Sequence, residues 1–275
     1  MTNRLAFLGP PGTFSEEAAL RYDPHAQMLP FASVAAVAAA VDSGMADEGI
    51  VAIENSLEGS VNDTLDALLQ ESRLAIRREL VLPIEHCLLS RPGLNADSVK
   101  VIFSHPQALG QCRRFVERCF PKAQVEAALS TAAAVEEVMA REDAAAIATR
   151  RAAEIYGAAV LASAVQDNPA NKTRFVVLAT SDAEPTGRDK TSIAFTVAHD
   201  QPGTLVGVLH EFSERGVNLT RIESRPTKEE LGVYIFWVDL EGHRSEPVLA
   251  EVLEKVRAKS FFFKVFGSYP RYVEG

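Results

Sequence analysis

The stretch Asn171-Lys172-Thr173-Arg174-Phe175 leads straight into the apolar run Val176-Val177-Leu178-Ala179. A threonine hydroxyl at the lip of a β-strand is a poor nucleophile but a usable neutral proton donor. The chemistry it suits needs one weak acid and little else. On a regular strand Thr173 and Phe175 share one face, and Arg174 points the opposite way as a salt-bridge or inter-lobe residue. Two further polar clusters sit at strand ends, where open parallel sheets place their ligands. One is Glu54-Asn55-Ser56; the other runs Ser104-His105-Pro106-Gln107-Ala108-Leu109-Gly110-Gln111-Cys112. In the second, Ser104 fits a helix N-cap and Pro106 the first turn. Ala108, Cys112, Phe115, Val116 and Cys119 then form a buried stripe flanked by Ser104, Gln107 and Gln111. His105 reads as a solvated or capping group. Near the start, Gly9-Pro10-Pro11-Gly12-Thr13-Phe14-Ser15 joins a strand to a helix, and Thr13 and Glu16 have capping-box spacing. Backbone N–H groups at that helix start, with the Thr13 and Ser15 hydroxyls, suit a carboxylate. The segment is neither a P-loop nor a dinucleotide fingerprint.

These clusters need a scaffold, and its elements are readable. Apolar runs at residues 5–8, 50–53, 101–103, 145–148 and 175–179 are strand candidates. Helix faces recur between them: Val34, Val37 and Val41 behind an N-cap at Ser33; Leu65, Leu68 and Leu69; Val135, Val138 and Met139. The alternation predicts an α/β fold with mostly parallel strands, its Ala-rich helices packed closely on the sheets. Residues 181–190, with Pro185 and Gly187, read as a linker. Beyond it, strands at 192–198, 217–224, 232–240 and 261–266 and helix faces at Leu205, Val208, Leu209, Phe212 and at Leu249, Val252, Leu253, Val256 give the order β-α-β-β-α-β. That is a ferredoxin-like module. Its small sheet has an open edge, which predicts pairing with a second copy.

Composition narrows the partners. The 275 residues carry a net charge of −9, which argues against nucleic acid or an anionic membrane. An anionic substrate therefore has to be held by local features against a repelling global field. No charged-then-apolar leader opens the sequence and no apolar run approaches ~18 residues, so a cytoplasmic protein is expected. Cys87, Cys112 and Cys119, an odd set without C-x-x-C spacing, are expected to be reduced core thiols. The histidines show no metal-ligand spacing, and neither Gly-x-Ser-x-Gly nor His-Glu-x-x-His occurs.

Taken in order, the four motifs resemble those of the prephenate dehydratase family. The tail carrying Asn218-Leu219-Thr220 and Glu223-Ser224-Arg225-Pro226 resembles the ACT regulatory domain found with it. The resemblance implies a two-lobed α/β catalytic domain over residues 1–180, similar to type 2 periplasmic binding proteins, and a ferredoxin-like ACT domain over residues 190–275. It implies decarboxylative dehydration of prephenate to phenylpyruvate, water and CO2 in phenylalanine biosynthesis, with no cofactor and no metal. Arogenate dehydratase or a dual-specificity cyclohexadienyl dehydratase is the close alternative; a small-anion binding protein and an amino-acid sensor are the non-enzyme rivals. By the same resemblance Thr173 is the essential hydroxyl, with Glu54, Asn55 and Gln111 beside it in the catalytic set. Thr13, Ser15, Ser56, Ser104, Arg174 and Phe175 are expected at the substrate. An ionised Glu54 would repel a dianion, so it is either protonated or tied into a structural bond, the second being favoured. Phenylalanine is expected as an allosteric inhibitor at Gly203, Leu205, Asn218, Glu223 and Ser224, between copies in a homo-oligomer (dimer or tetramer). The family's Gly-Ala-Leu-Val loop reads Gly203-Thr204-Leu205-Val206 here, a change expected to weaken or retune effector binding. A chain ending near Ala183 is expected to keep catalysis and lose phenylalanine sensitivity.

Overall fold

The computed structural model describes residues 2–69, 73–198, 201–228 and 231–273. Contacts divide the chain into one unit of Met1–Leu65 and Leu80–Phe175 and another of Asp66–Glu79 and Val176–Gly275. The elements that build the first lobe are β1 (Arg4–Leu8), α1 (Phe14–Tyr22), β2 (Gln27–Phe31), α2 (Val34–Asp42), β3 (Glu48–Asn55), β4 (Gly59–Ser60), α3 (Asn62–Leu69) and β5 (Ala75–Pro83). The second lobe holds β6 (Cys87–Ser90), β7 (Val101–Ser104), α4 (Pro106–Gln111), α5 (Arg113–Cys119), β8 (Gln124–Ala127), α6 (Thr131–Met139), β9 (Ala144–Ala148), α7 (Arg150–Tyr156) and β10 (Ala159–Ala162). β11 (Lys172–Ala179) then returns to the first sheet.

The two sheets repeat one plan. The first has the order β2-β1-β3-β11-β5, with β4 paired to β3; the second has the order β10-β6-β9-β7-β8. In the first, β2, β1 and β3 lie side by side with β11 next to β3; in the second, β8, β7 and β9 lie side by side with β6 next to β9, and β6 and β11 are the strands that follow the two crossings between lobes. This is the expected two-lobed α/β arrangement. The chain crosses between lobes twice, through residues 84–86 and 163–171, and Ile84 N donates to Asn171 O at 2.9 Å, tying the two crossovers together.

Small residues allow the close packing. Ser33 caps α2 by accepting from Ala36 N at 3.1 Å. That helix lies so near β3 that a Cβ at Gly49 would stand 2.9 Å from Val37 Cγ1. Two expectations need correction. The second sheet is mixed rather than mostly parallel, since β6 runs antiparallel to β9, and β10 antiparallel to β6. The helix after residue 104 is two helices broken at Cys112; the buried stripe runs on through Phe115 and Val116 but does not reach Cys119, which is exposed, whereas Cys87 and Cys112 are buried.

The second unit contains β12 (Asp189–Thr196), α8 (Thr204–Glu214), β13 (Leu219–Pro226), β14 (Tyr234–Glu241), α9 (Pro247–Ala258) and β15 (Phe262–Pro270). Its sheet order β13-β14-β12-β15 is that of a ferredoxin-like module, with β13 at an edge. Both helices bury one face on the sheet around Phe195, Phe212, Val252 and Val256. Gly203 adopts φ 87° before α8, and the Thr204 hydroxyl donates to Ala198 O at 3.0 Å. The same hydroxyl lies 3.2 Å from Gln201 O, so backbone carbonyls ahead of α8 take it up.

Residues 66–79 pack within this same unit. Arg225 Nη2 donates to Asp66 Oδ1 at 2.9 Å and Lys228 Nζ to Asp66 Oδ2 at 2.7 Å. Lys264 Nζ donates to Leu68 O at 2.7 Å, and Lys190 Nζ pairs with Glu79 at 2.9 Å. Gly267, at φ 135°, lies against the Ile76 backbone.

Candidate active site

Between the two lobes of the first unit lies a cleft of about 440 Å³, a size suited to a small molecule. One wall presents Thr13, Phe14, Ser15, Asn55, Thr173 and Phe175; the other presents His86, His105, Gln107, Gln111, Ser130 and Thr131. Among the described residues no Asp, Glu, Lys or Arg lines it. What it offers an anion is neutral donors and helix starts. α1 and α6 both begin at the wall, and the N–H groups of a helix's first turn have no intrahelical acceptor. Thr13 and Ser130 cap these two helices by accepting from Glu16 N and Ala133 N. The Glu16 side chain completes the turn by accepting from Gly12 N at 2.6 Å, one residue before the position that capping-box spacing predicts.

A relay of amides crosses the cleft floor, and its polarity is set by two backbone donors. Leu57 N and Glu58 N both donate to Asn55 Oδ1, at 3.0 and 3.1 Å. The amide's oxygen must face them, so its Nδ2 faces the other way. That nitrogen donates to Asn171 Oδ1 at 2.8 Å and to Thr173 Oγ1 at 2.9 Å. Asn171 Nδ2 then donates to Gln111 Oε1 at 2.9 Å. Two consequences follow. Thr173 Oγ1 is an acceptor toward Asn55, which leaves its own proton for the cleft. Gln111 takes its protein bonds on the oxygen, which leaves its amide N–H groups as donors at the cleft wall. Asn55→Asp tests the relay: the carboxylate still accepts from Leu57 and Glu58 but donates to nothing. It should fold, yet lower kcat/KM about 10-fold or more in a steady-state assay.

His86 Nε2 also lies 3.1 Å from Gln111 Oε1. The amide oxygen only accepts, so the ring donates from Nε2. Burial pushes the His86 pKa down, against the opposing effect of the Gln111 bond, so the ring is neutral. Behind α4, burial, aided by the negative charge of Asp167, pushes the Cys112 thiol up to about 12. It is an inert packing group rather than a nucleophile. Among the described residues no group of three or more His, Cys, Asp and Glu is placed to hold a metal ion.

The structure brings Thr13, Ser15, Asn55, Gln111, Thr173 and Phe175 together at the cleft, and strand alternation accounts for the pairing of Thr173 with Phe175. Four other expected site residues lie elsewhere. Glu54 Oε2 and Arg174 Nε form an ion pair at 3.1 Å on the opposite face of β3 and β11, the structural bond favoured from sequence. Ser56 Oγ accepts from Lys172 N at 2.9 Å, closing the turn after β3. Ser104 is fully buried and donates to Ile147 O at 2.5 Å; it ends β7 and does not cap α4. His105 does that, accepting from Gln107 N at 3.3 Å. The wall also uses residues to which the sequence assigned no site role: Phe14, His86, Ser130, Thr131 and, beneath it, Asn171. Ser130 and Thr131 carried a usable signal, since an Ser-Thr pair precedes the Val135 helix face. His86 and Asn171 carried none by spacing, because only the two crossovers bring them to Gln111.

In the second unit, Leu205 packs against the apolar core. Glu223 Oε2 pairs with Arg221 Nη2 at 2.5 Å, Asn218 O accepts from Glu241 N at 2.9 Å, and Ser224 stands across from Phe236 on β14.

Comparison with known proteins agrees with this geometry. The family profile described as prephenate dehydratase matches residues 5–183, and that described as ACT domain matches residues 191–258. The chain is 43% identical over 269 residues to the bifunctional chorismate mutase/prephenate dehydratase of Aquifex aeolicus, covering 98% of this chain and 74% of the relative. It is 39% identical over 289 residues to arogenate dehydratase 5, chloroplastic, of Arabidopsis thaliana, covering 98% and 68%. The crystal structure of a prephenate dehydratase in complex with L-Phe from Arthrobacter aurescens superposes with a TM-score of 0.90 at 39% identity, covering 98% and 90%. By both sequence and structure the chain belongs to the prephenate dehydratase family, with an ACT domain following its catalytic part.

Proposed function

We propose that the cleft takes prephenate as a dianion and that Thr173 protonates its departing ring hydroxyl as CO2 leaves. The observation that carries this reading is the polarity at Thr173: Asn55 Nδ2 donates to its oxygen at 2.9 Å, so the hydroxyl proton is the one group there free to be given. Loss of CO2 and of the hydroxyl leaves an aromatic ring, so the reaction needs no electron sink. The chain's part is to orient two carboxylates and supply one proton. The starts of α1 and α6, with Ser15 and Gln111, hold the carboxylates, and Thr13, whose hydroxyl donates to Pro10 O at 3.0 Å, shapes the first of these helix starts. Asn55 fixes the donor; a positioned general acid contributes typically about 10²–10⁴-fold, and preorganised dipoles supply further stabilisation. Residues 1–180 form the catalytic domain in this reading and residues 190–275 the regulatory one.

Purified protein given prephenate alone, with no added metal or nucleotide, should release phenylpyruvate. Arogenate, which carries an ammonium where prephenate has a keto group, is tested beside it. Turnover of arogenate alone would reassign the substrate, and activity lost to chelator and restored by a divalent ion would end the cofactor-free account.

Phenylalanine is the proposed regulator, bound between paired copies near Gly203, Leu205, Asn218, Glu223 and Ser224. The edge strand β13 supports pairing, since Ile222 on it is 48% exposed and an uncovered edge favours a partner strand. Thr204 spends its hydroxyl on Ala198 O, so the departure from Gly-Ala-Leu-Val leaves the loop closed rather than disabled. Calorimetry on the full chain should detect phenylalanine binding, and the same concentrations should slow prephenate turnover. No heat at millimolar phenylalanine would remove the regulatory role.

A further inference from the structure

Two donors converge on Gln111 Oε1, and the relay from Asn55 accounts for only one of them. Asn171 Nδ2, at 2.9 Å, ends that relay; His86 Nε2, at 3.1 Å, comes from the other crossover. His86 is 2% exposed and meets the Phe14 ring edge-on at 5.3 Å between centroids. Its Nδ1 is buried and has no hydrogen-bond partner among the described residues. A phenylalanine or leucine in this place would bury a similar apolar surface without leaving an acceptor unpaired. A buried imidazole that uses one nitrogen and leaves the other unsatisfied weakens the fold, which calls for a functional reason.

We propose that His86 is a positioning residue for the dehydration: its Nε2–H fixes the Gln111 amide so that Gln111 Nε2 is held toward the substrate. This rests on the reading of Gln111 as a substrate donor. One donor on an amide oxygen leaves the amide free to swing about that contact; two donors from different directions fix its plane. Here the two come from the two crossovers, which Ile84 N and Asn171 O join at 2.9 Å. Gln111 belongs to the second lobe and Thr173 to the first, yet both are referenced to this one hydrogen-bonded frame. Substrate donors on opposite lobes therefore stay aligned with each other.

His86→Phe removes the donor and keeps an aromatic ring beside Phe14. It should fold with an equal or higher thermal midpoint while kcat/KM falls about 10-fold or more. His86→Gln, whose amide nitrogen reaches the place of Nε2, should recover most of that loss. In a Gln111→Ala background His86→Phe should change little, because residues acting through one another are not additive. On the unaltered protein, ¹⁵N spectra should show His86 neutral and protonated at Nε2, a readout that survives any failure of a variant to fold. Wild-type kcat/KM in a folded His86→Phe, an equal loss in both backgrounds, or a ring protonated at Nδ1 would each overturn the proposal. Gln111→Ala with full activity would instead remove the reading of Gln111 itself, and that result is distinguishable because it needs no change at His86.

Discussion

Replacing Thr173 with valine should lower turnover about 10²-fold or more while leaving the fold intact. Valine matches threonine in shape and in strand preference, and the side chain sits in β11 beside Phe175 with its hydroxyl held by Asn55 Nδ2 at 2.9 Å. The substitution therefore removes an oxygen and little else. It also leaves one Asn55 hydrogen without its acceptor, and Lys172 O, already 3.3 Å from Asn55 Nδ2, can take it up. Stability should accordingly fall far less than activity. Thr173→Ser keeps the hydroxyl but loses the methyl group that fixes its rotamer, and it should retain more turnover than the valine variant. Single-turnover rates on both variants separate the chemical step from binding. A valine variant as fast as the natural protein would show that some other group delivers the proton.

The second large effect is on stability. Gly267→Val should destabilise the protein by about 3 kcal/mol or more, the sum of a strained backbone and an overpacked contact. Gly267 has φ 135°, a conformation nearly closed to residues with a Cβ. A Cβ there would also stand 2.9 Å from Ile76 N and nearer still to Ile76 O. Both obstacles are backbone, so no rotamer relieves them. Thermal unfolding should report the loss; an unchanged midpoint would mean that β15 and the segment around Ile76 do not meet as closely as the structure places them. The same contact bears on a chain ending near Ala183. Residues 66–79 would lose Lys190, Arg225, Lys264 and Gly267 together, so truncation would strip partners from α3 and β5 as well as removing the effector module.

The reading from sequence succeeded where one residue's neighbours along the chain determine its role. Thr173 with Phe175, Thr13 as a cap and Asn55 at the end of β3 are all local statements of strand alternation or helix entry. It failed where a polar side chain at a strand end had two possible uses. Ser104 and Ser56 look like substrate ligands by position, yet the Ser104 proton goes to Ile147 O and the Ser56 oxygen receives Lys172 N, backbone groups that come from distant sequence. His86 and Asn171 are the converse. They occupy the two crossings between lobes, and nothing in their spacing shows that the crossings touch. Two strands, β8 and β5, were missed for a simpler reason. β8 is exposed along its length and so lacks the buried pattern on which a strand assignment depends, and in β5 the charged Arg77, Arg78 and Glu79 interrupt the apolar residues Ile76, Leu80 and Leu82.

A wall without Asp, Glu, Lys or Arg has a consequence for the response to ionic strength. Sites that grip anions with fixed cations lose affinity as salt competes for those cations. Here the grip comes from dipoles and hydrogen bonds at short range, which dissolved ions screen little. The long-range field is that of a protein with net charge −9, and it opposes the approach of a dianion. Added salt shortens the reach of that repulsion to about 8 Å at physiological strength. Encounter with the substrate should therefore quicken as salt rises, the reverse of what a cationic pocket would give.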